Sequence, residues 1–281
     1  MASILKFNTD KEFYDHNYEH MVDNYYIYLQ VLKYIPILVE KKAKVFAAFN
    51  ITDENNNLII GFHVSYNYYI FSNGWTPDML ELLAKEVHFD MHKPPYHFIG
   101  KKDLILELFK RNTNQWHVYK ERLIYECYSV NNQYKKVKGD VQNASLYDID
   151  ELAEMTLAYS KEEYPEKEGD IEKAYGQAHH GITKKKMYVV KKGGIICSML
   201  QVLIDFDSED EKPIIGSLYT IPSARNKGYA SLLLHTVTEG FLKQGFEVIG
   251  LLSDVTNPAS NKAFLNVGYQ PIYDWIDIVV D

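Results

Sequence analysis

The densest chemistry in this chain lies at Arg225, Asn226, Lys227, Gly228, Tyr229 and Ala230. Two cations and a glycine stand just before an apolar-periodic stretch, so a basic turn runs into a helix. A helix N-terminus carries unpaired N–H groups and a partial positive charge, which together suit a phosphate. Gly228 lets the backbone bend and approach a ligand closely. Arg225 and Lys227 add full charges, although a solvated basic loop has the same composition. A second polar cluster follows at Asn257, Pro258, Ser260 and Asn261, with Phe264 and then Gly268 and Tyr269 behind it. Asn257 before Pro258 is a helix start: the asparagine caps and the proline takes the first helical position.

Regular elements must hold these clusters in place. Residues 214–220 read as a strand and the helix runs on from Tyr229, with Ala230, Leu233, Leu234, Val237 and Phe241 as its apolar stripe. Residues 247–253 read as a strand, and the helix from Pro258 buries Ala263, Phe264 and Val267. The last strands, 269–280, suit a hairpin. Upstream, 141–146 reads as a strand, then Asp148 caps a helix with Glu151 as its box partner. Residues 160–181 form an acidic, loop-rich or short-helix segment. Strands over 187–190 and 195–205 meet across Lys192, Gly193 and Gly194. Residues 208–212 make an acidic turn.

The first half reads as helix over 11–33, ending before Pro36. Strands over 45–51 and 58–65 flank a turn at 53–57. Residues 68–71 continue as strand. Thr76 caps a helix with Pro77 at its first position. A helix over 103–110 and one long or two short strands over 117–130 follow. A polar linker, 131–140, then divides the chain into domains at 1–135 and 139–281.

The spacing Arg225-x-x-Gly228-x-Ala230 resembles the pyrophosphate loop of GNAT-superfamily N-acetyltransferases. Asn257-Pro258-x-Ser260-Asn261, trailed by Gly268 and Tyr269, is similar to that family's second coenzyme A motif. The resemblance covers 139–281. It implies an α/β GNAT fold, a mixed twisted sheet flanked by helices on both faces. The order of elements in 1–135 echoes the same half-domain, but Gly100, Lys101, Lys102 and Asp103 carry no such loop. That domain is either a degenerate GNAT-like repeat or an unrelated α/β domain.

The resemblance further implies acetyl transfer from acetyl-CoA to a primary amine by direct attack in a ternary complex. Tyr219, Thr220, Ile221 and the backbone from Arg225 to Ala230, with Asn226, Lys227, Gly228 and Tyr229 between, would bind the cofactor. Asn257, Ser260, Asn261 and Phe264 would complete that surface, and Asn257 is equally a helix cap. The strand before the loop would be splayed by a bulge, so that a backbone N–H near Leu218 or Tyr219 polarises the thioester carbonyl. Phe264 stands where many relatives carry the tyrosine that protonates the departing thiolate, and it has no proton to give. Glu163 is the candidate base, with Glu162, Asp205 and Asp254 as others, and each is otherwise a solvated carboxylate. His179 and His180 are adjacent, point to different faces and have no metal-ligand spacing around them. No metal is expected.

Composition bounds the reading. The 281 residues suffice for two domains. The net charge of −8 argues against a nucleic-acid binder. Cys127 and Cys197 read as buried thiols in a reducing compartment. No apolar run of membrane-span length occurs. The start lacks the pattern of a signal peptide. These features place the protein in the cytoplasm, with no membrane partner. The 23 tyrosines suit large half-buried contact surfaces, a homodimer face among them. The acidic stretch 161–166 suits a cationic acceptor: a small amine, an amino acid or a peptide N-terminus. The alternative is an acyl-CoA-binding sensor or scaffold with little turnover.

Overall fold

The computed structural model describes residues 1–40, 45–87, 96–111, 115–133, 137–204 and 211–280. The acidic turn expected at 208–212 lies largely outside these, as does Asp205. The chain divides into two compact units: Met1–Ile124 with Asp254–Thr256 and Ile272–Asp281, and Tyr125–Ser253 with Asn257–Pro271.

In the first unit the sheet order is β1 (Ser3–Lys6), β2 (Val45–Thr52), β3 (Leu58–Val64), β4 (Asn67–Ser72), β5 (Tyr96–Lys101), β12 (Gln270–Val280) and β6 (Trp116–Cys127). The β2–β3 hairpin forms because Asp53 Oδ1 accepts from the N–H groups of Asn55 and Asn57, while Asn56 takes the left-handed conformation. Helix α3 (Pro77–Glu86) starts as its sequence dictates, with Thr76 Oγ1 accepting from Met79 N. Its Met79, Leu80 and Leu83 bury a core with Leu104 and Leu108 of α4 (Lys102–Phe109), Phe98 of β5 and Ile276 and Ile278 of β12. The opposite face of β12 carries Asp277, which is buried and pairs with His97 of β5.

Parallel β4 and β5 stay paired from Asn67–His97 through to Ile70–Gly100. Gly100, with φ at +146°, makes that approach: a Cβ there would fall 1.8 Å from the Ile70 carbonyl oxygen.

The single helix expected over 11–33 is two, α1 (Asp10–Asp23) and α2 (Tyr25–Glu40). α2 passes Pro36, where a stop was expected. A proline inside a helix costs one backbone bond and some bending, while the preceding turns of α2 bury Tyr25, Tyr26, Tyr28 and Val31.

In the second unit the order is β11 (Ile249–Asp254), β10 (Ile214–Thr220), β9 (Ile195–Leu203), β8 (Met187–Lys192) and β7 (Asp140–Asn143). Gly193 and Gly194, both at positive φ, form the two-residue β8–β9 turn. Leu152 and Met155 of α5 (Ile149–Glu163) and Ala178 and Ile182 of α6 (Ile171–Thr183) pack on Met187, Val189, Ile196 and Met199. α7 (Tyr229–Lys243) also packs on β8, β9 and β10, and α8 (Pro258–Val267) on α7.

Three expectations here are corrected. The capping box is Ser145 with Asp148, not Asp148 with Glu151: the Asp148 carboxylate turns back to accept from Ser145 N and Oγ and from Lys191 Nζ. Of the two readings of 160–181 the helical one holds, because Asp170 caps α6 by accepting from Lys173 N at 3.0 Å, and so His179 and His180, whose pattern reads as loop, stand on that helix. The C-terminal segment is one strand, β12, and not a hairpin.

Candidate functional site

The candidate site is built where β10 leaves β11. These parallel strands pair at Ile214–Gly250 and Ile215–Leu251, and no later pair is formed among the described residues, although β10 runs on to Thr220 and β11 to Asp254. On its other edge β10 slips by one residue against β9, between Gly216 and Tyr219. Ser217 takes φ +51° inside that bulge. A bulge bends its strand and raises the local twist, which parts β10 from β11. Beyond it the strand is secured again: Ser198 Oγ lies 2.8 Å from Tyr219 O and 2.9 Å from Thr220 Oγ1. Ile221 N donates to Cys197 O at 3.2 Å.

A 3-10 turn, Pro222–Ala224, then leads into the basic loop. Asn226 has φ +60° and Gly228 φ +83°, so the loop alternates hand twice before α7. Gly228 is the N-cap and offers no side-chain oxygen to the first N–H groups of α7. Most helices satisfy those groups with a Ser, Thr, Asp or Asn cap. No side chain caps these groups, an arrangement in which a helix start can receive an anion.

The two loop cations are held by protein. Arg225 Nη2 lies 2.6 Å from Glu162 Oε1, its Nε donates to Thr220 O at 3.0 Å, and its guanidinium sits 5.5 Å from the Tyr219 ring centroid. Lys227 Nζ donates to Ser223 O at 2.8 Å. Tyr229 and Tyr219 are buried, Leu218 is half-buried and Ala230 follows in the first turn of α7.

The second motif opens α8. Asn257 Oδ1 accepts from Ser260 N at 3.1 Å, so the cap reading of Asn257 is realised. Asn261, one turn on, has its Oδ1 3.3 Å from the Tyr125 hydroxyl. The Tyr125 ring lies 5.7 Å from that of Phe264, which is buried and also edges Tyr269 at 6.2 Å. Tyr269 is fully buried, its hydroxyl 2.8 Å from Thr238 Oγ1, and burial pushes its pKa far up.

The carboxylates differ in availability. Glu162 is committed to Arg225. Glu163, the last residue of α5, is half-buried. Burial works to raise the Asp254 pKa, but the Thr256 hydroxyl and amide and Lys120 at 3.1 Å together hold it below the usual carboxylate value, which makes it a weak base. Among the described residues no cluster of three His, Cys, Asp or Glu is placed to hold a metal ion. No helix among them is long and apolar enough to cross a membrane.

Three participants escaped the sequence reading. Ser217 was signalled by Gly216-Ser217 in mid-strand, a composition that marks bulges. Ser198 and Tyr125 gave no local signal, since their roles rest on pairings 21 and 136 residues away.

Residues 147–269 match the sequence model of the acetyltransferase (GNAT) family. They form a GNAT-family domain. That family and its fold support acyl transfer as the general activity. The fold extends to the whole chain. A GNAT-family acetyltransferase from Colwellia psychrerythraea is similar over 99% of this chain and 100% of its own, at 15% identity and a TM-score of 0.59. A Drosophila protein matches 99% of this chain and 98% of its own, at 13% identity and TM-score 0.53. A GCN5-related N-acetyltransferase from Sphaerobacter thermophilus matches 83% of this chain and 79% of its own, at 11% identity and TM-score 0.51. No curated protein matches the chain in sequence. The mixed sheet with helices on both faces is thus the expected GNAT fold.

Proposed function

We propose that the second unit transfers an acetyl group from acetyl-CoA to a primary amine, by direct attack while both are bound. The observation that carries this is the parting of β10 from β11 after Ile215 and Leu251, followed by a twice-inverted loop that opens α7 without a capping side chain. The gap suits the pantetheine arm. The backbone from Arg225 to Ala230 suits the pyrophosphate through the N–H groups that follow Arg225, whose own N–H donates to Pro222 O at 3.3 Å. Thr220, Ile221, Asn226, Lys227, Gly228 and Tyr229 line its approach, and Asn257, Ser260, Asn261 and Phe264 flank it on α8.

Chemically, the thioester carbonyl would take a hydrogen bond from the backbone N–H of Leu218 or Tyr219 as negative charge develops on its oxygen. One such donor is worth about 3 kcal/mol in a transition state. The attacking amine must be neutral, and Glu163 is the proposed acceptor of its proton, directly or through water. Phe264 has no proton for the departing thiolate, so water or another hydroxyl supplies it.

The domain assignment belongs to the same proposal: an acetyltransferase domain over 139–281 and a degenerate repeat over 1–135, with the difference that the compact units group Ile272–Asp281 with the first half and residues 125–133 with the second. In the first unit β4 and β5 remain paired from Asn67–His97 to Ile70–Gly100, so no gap like that between β10 and β11 opens over those residues. A cytoplasmic protein that forms homodimers would fit this enzyme.

The test is release of free coenzyme A thiol from acetyl-CoA with a panel of amines: small polyamines, amino acids and peptides with free N-termini. Acceptor-dependent release supports the proposal. Tight binding of acetyl-CoA without release from any amine would point to a sensor instead.

A further inference from the structure

The cofactor loop and the end of α5 are tied by one ion pair, and the tie bears on how ligands would enter. Arg225 is the loop's guanidinium, and its donors go to Glu162 and Thr220 while its plane rests near Tyr219. Among the described residues Arg225 is also the partner of Glu162. Both side chains are substantially exposed, at 41% and 55%. An exposed pair of this kind is weak and screened by salt. A phosphoryl group presents more charge and more acceptor oxygens to a guanidinium than one carboxylate does.

We propose that Glu162 and an anionic ligand on the 225–230 loop compete for Arg225, so that binding there opens the clasp and leaves the Glu162 carboxylate unpaired. This rests on the acyl-CoA reading of the loop and adds a regulatory step to it. Glu162 lies in the last turn of α5, at the negative end of the helix dipole. An unpaired carboxylate there is unfavourable until a cation replaces the guanidinium. Filling the loop therefore prepares the end of α5 for a cationic second ligand, such as a protonated amine. Linkage requires the reverse coupling too: a cation that occupies Glu162 tightens the loop's grip on its anion.

The test is a double-mutant cycle with coenzyme A as the probe, measured by calorimetry at low salt on the full chain, with Glu162→Gln, Arg225→Gln and the double variant. Removing the competitor should tighten binding in Glu162→Gln by about two- to fivefold, the range of an exposed ion pair. Arg225→Gln should weaken binding, and in that background Glu162→Gln should add nothing. The gain should shrink at high salt. Equal or weaker binding by Glu162→Gln, or a gain that persists without Arg225, overturns the clasp. If wild type binds no coenzyme A, the acyl-CoA reading falls. The same four proteins are then titrated with inorganic pyrophosphate, where the same pattern supports the clasp and its absence overturns it.

Discussion

His97 Nδ1 lies 2.8 Å from Asp277 Oδ1, joining two strands of the first unit across 180 residues of sequence. The hydrogen bond from His97 to the buried carboxylate raises the histidine pKa against the opposing effect of burial. A group whose pKa is raised on folding contributes stability that is fully present below its unfolded value, about 6.5, and is lost as pH rises through the folded value. Asp277→Asn should therefore lower the urea midpoint more at pH 5.5 than at pH 8.5. An equal loss at both would show that the pair is not ionic.

The same strand anchors the core of the first unit. Ile276 and Ile278 are fully buried against α3 and α4 residues, and burying each is worth about 1.5–3 kcal/mol. Truncation after Pro271 should unfold the first unit. Circular dichroism and limited proteolysis would show this as lost structure and rapid cleavage within 1–124.

Gly100 should tolerate no side chain. A Cβ would meet the Ile70 carbonyl oxygen at 1.8 Å, a backbone atom that cannot swing away, and the φ of +146° is itself strained for any other residue. Gly100→Ala should cost more than about 4 kcal/mol. Chemical denaturation, or loss of soluble protein, checks it.

Ser217 tests the bulge. At φ +51° a β-branched residue is a conformational outlier, so Ser217→Val should lower stability by about 1–3 kcal/mol. Ser217→Gly should fold at least as well as wild type. Thermal melts of the two variants would show it, and coenzyme A binding should be lost in the valine variant if the bulge opens the cleft.

Much of this was legible in the residues. The loop at Arg225–Ala230, the α7 stripe and the Asn257 cap rest on short-range chemistry, and their elements stand where their spacing puts them. The glycine pair 193–194 and the turn at Asp53 were equally local. What could not be read depends on distant partners. One Asp148 oxygen caps back to Ser145 and the other is held by Lys191, 43 residues on, a partner no local pattern names. β12 is one strand because β5 pairs with it from Trp275 to Val280, a partner that no pattern in 269–280 names. The pairing of Glu162 with Arg225 spans 63 residues, so nothing local in the sequence separates this carboxylate from its neighbour Glu163.

The most direct measurement is calorimetry of the purified protein with acetyl-CoA, beside Gly228→Asp. Gly228 stands at φ +83° at the mouth of α7, and an aspartate there adds strain and a negative charge where the pyrophosphate would sit. Wild type should bind saturably, and the variant should lose that binding while keeping its fold. A well-folded wild type that binds no acetyl-CoA, or a variant that binds as tightly, would contradict the proposed function.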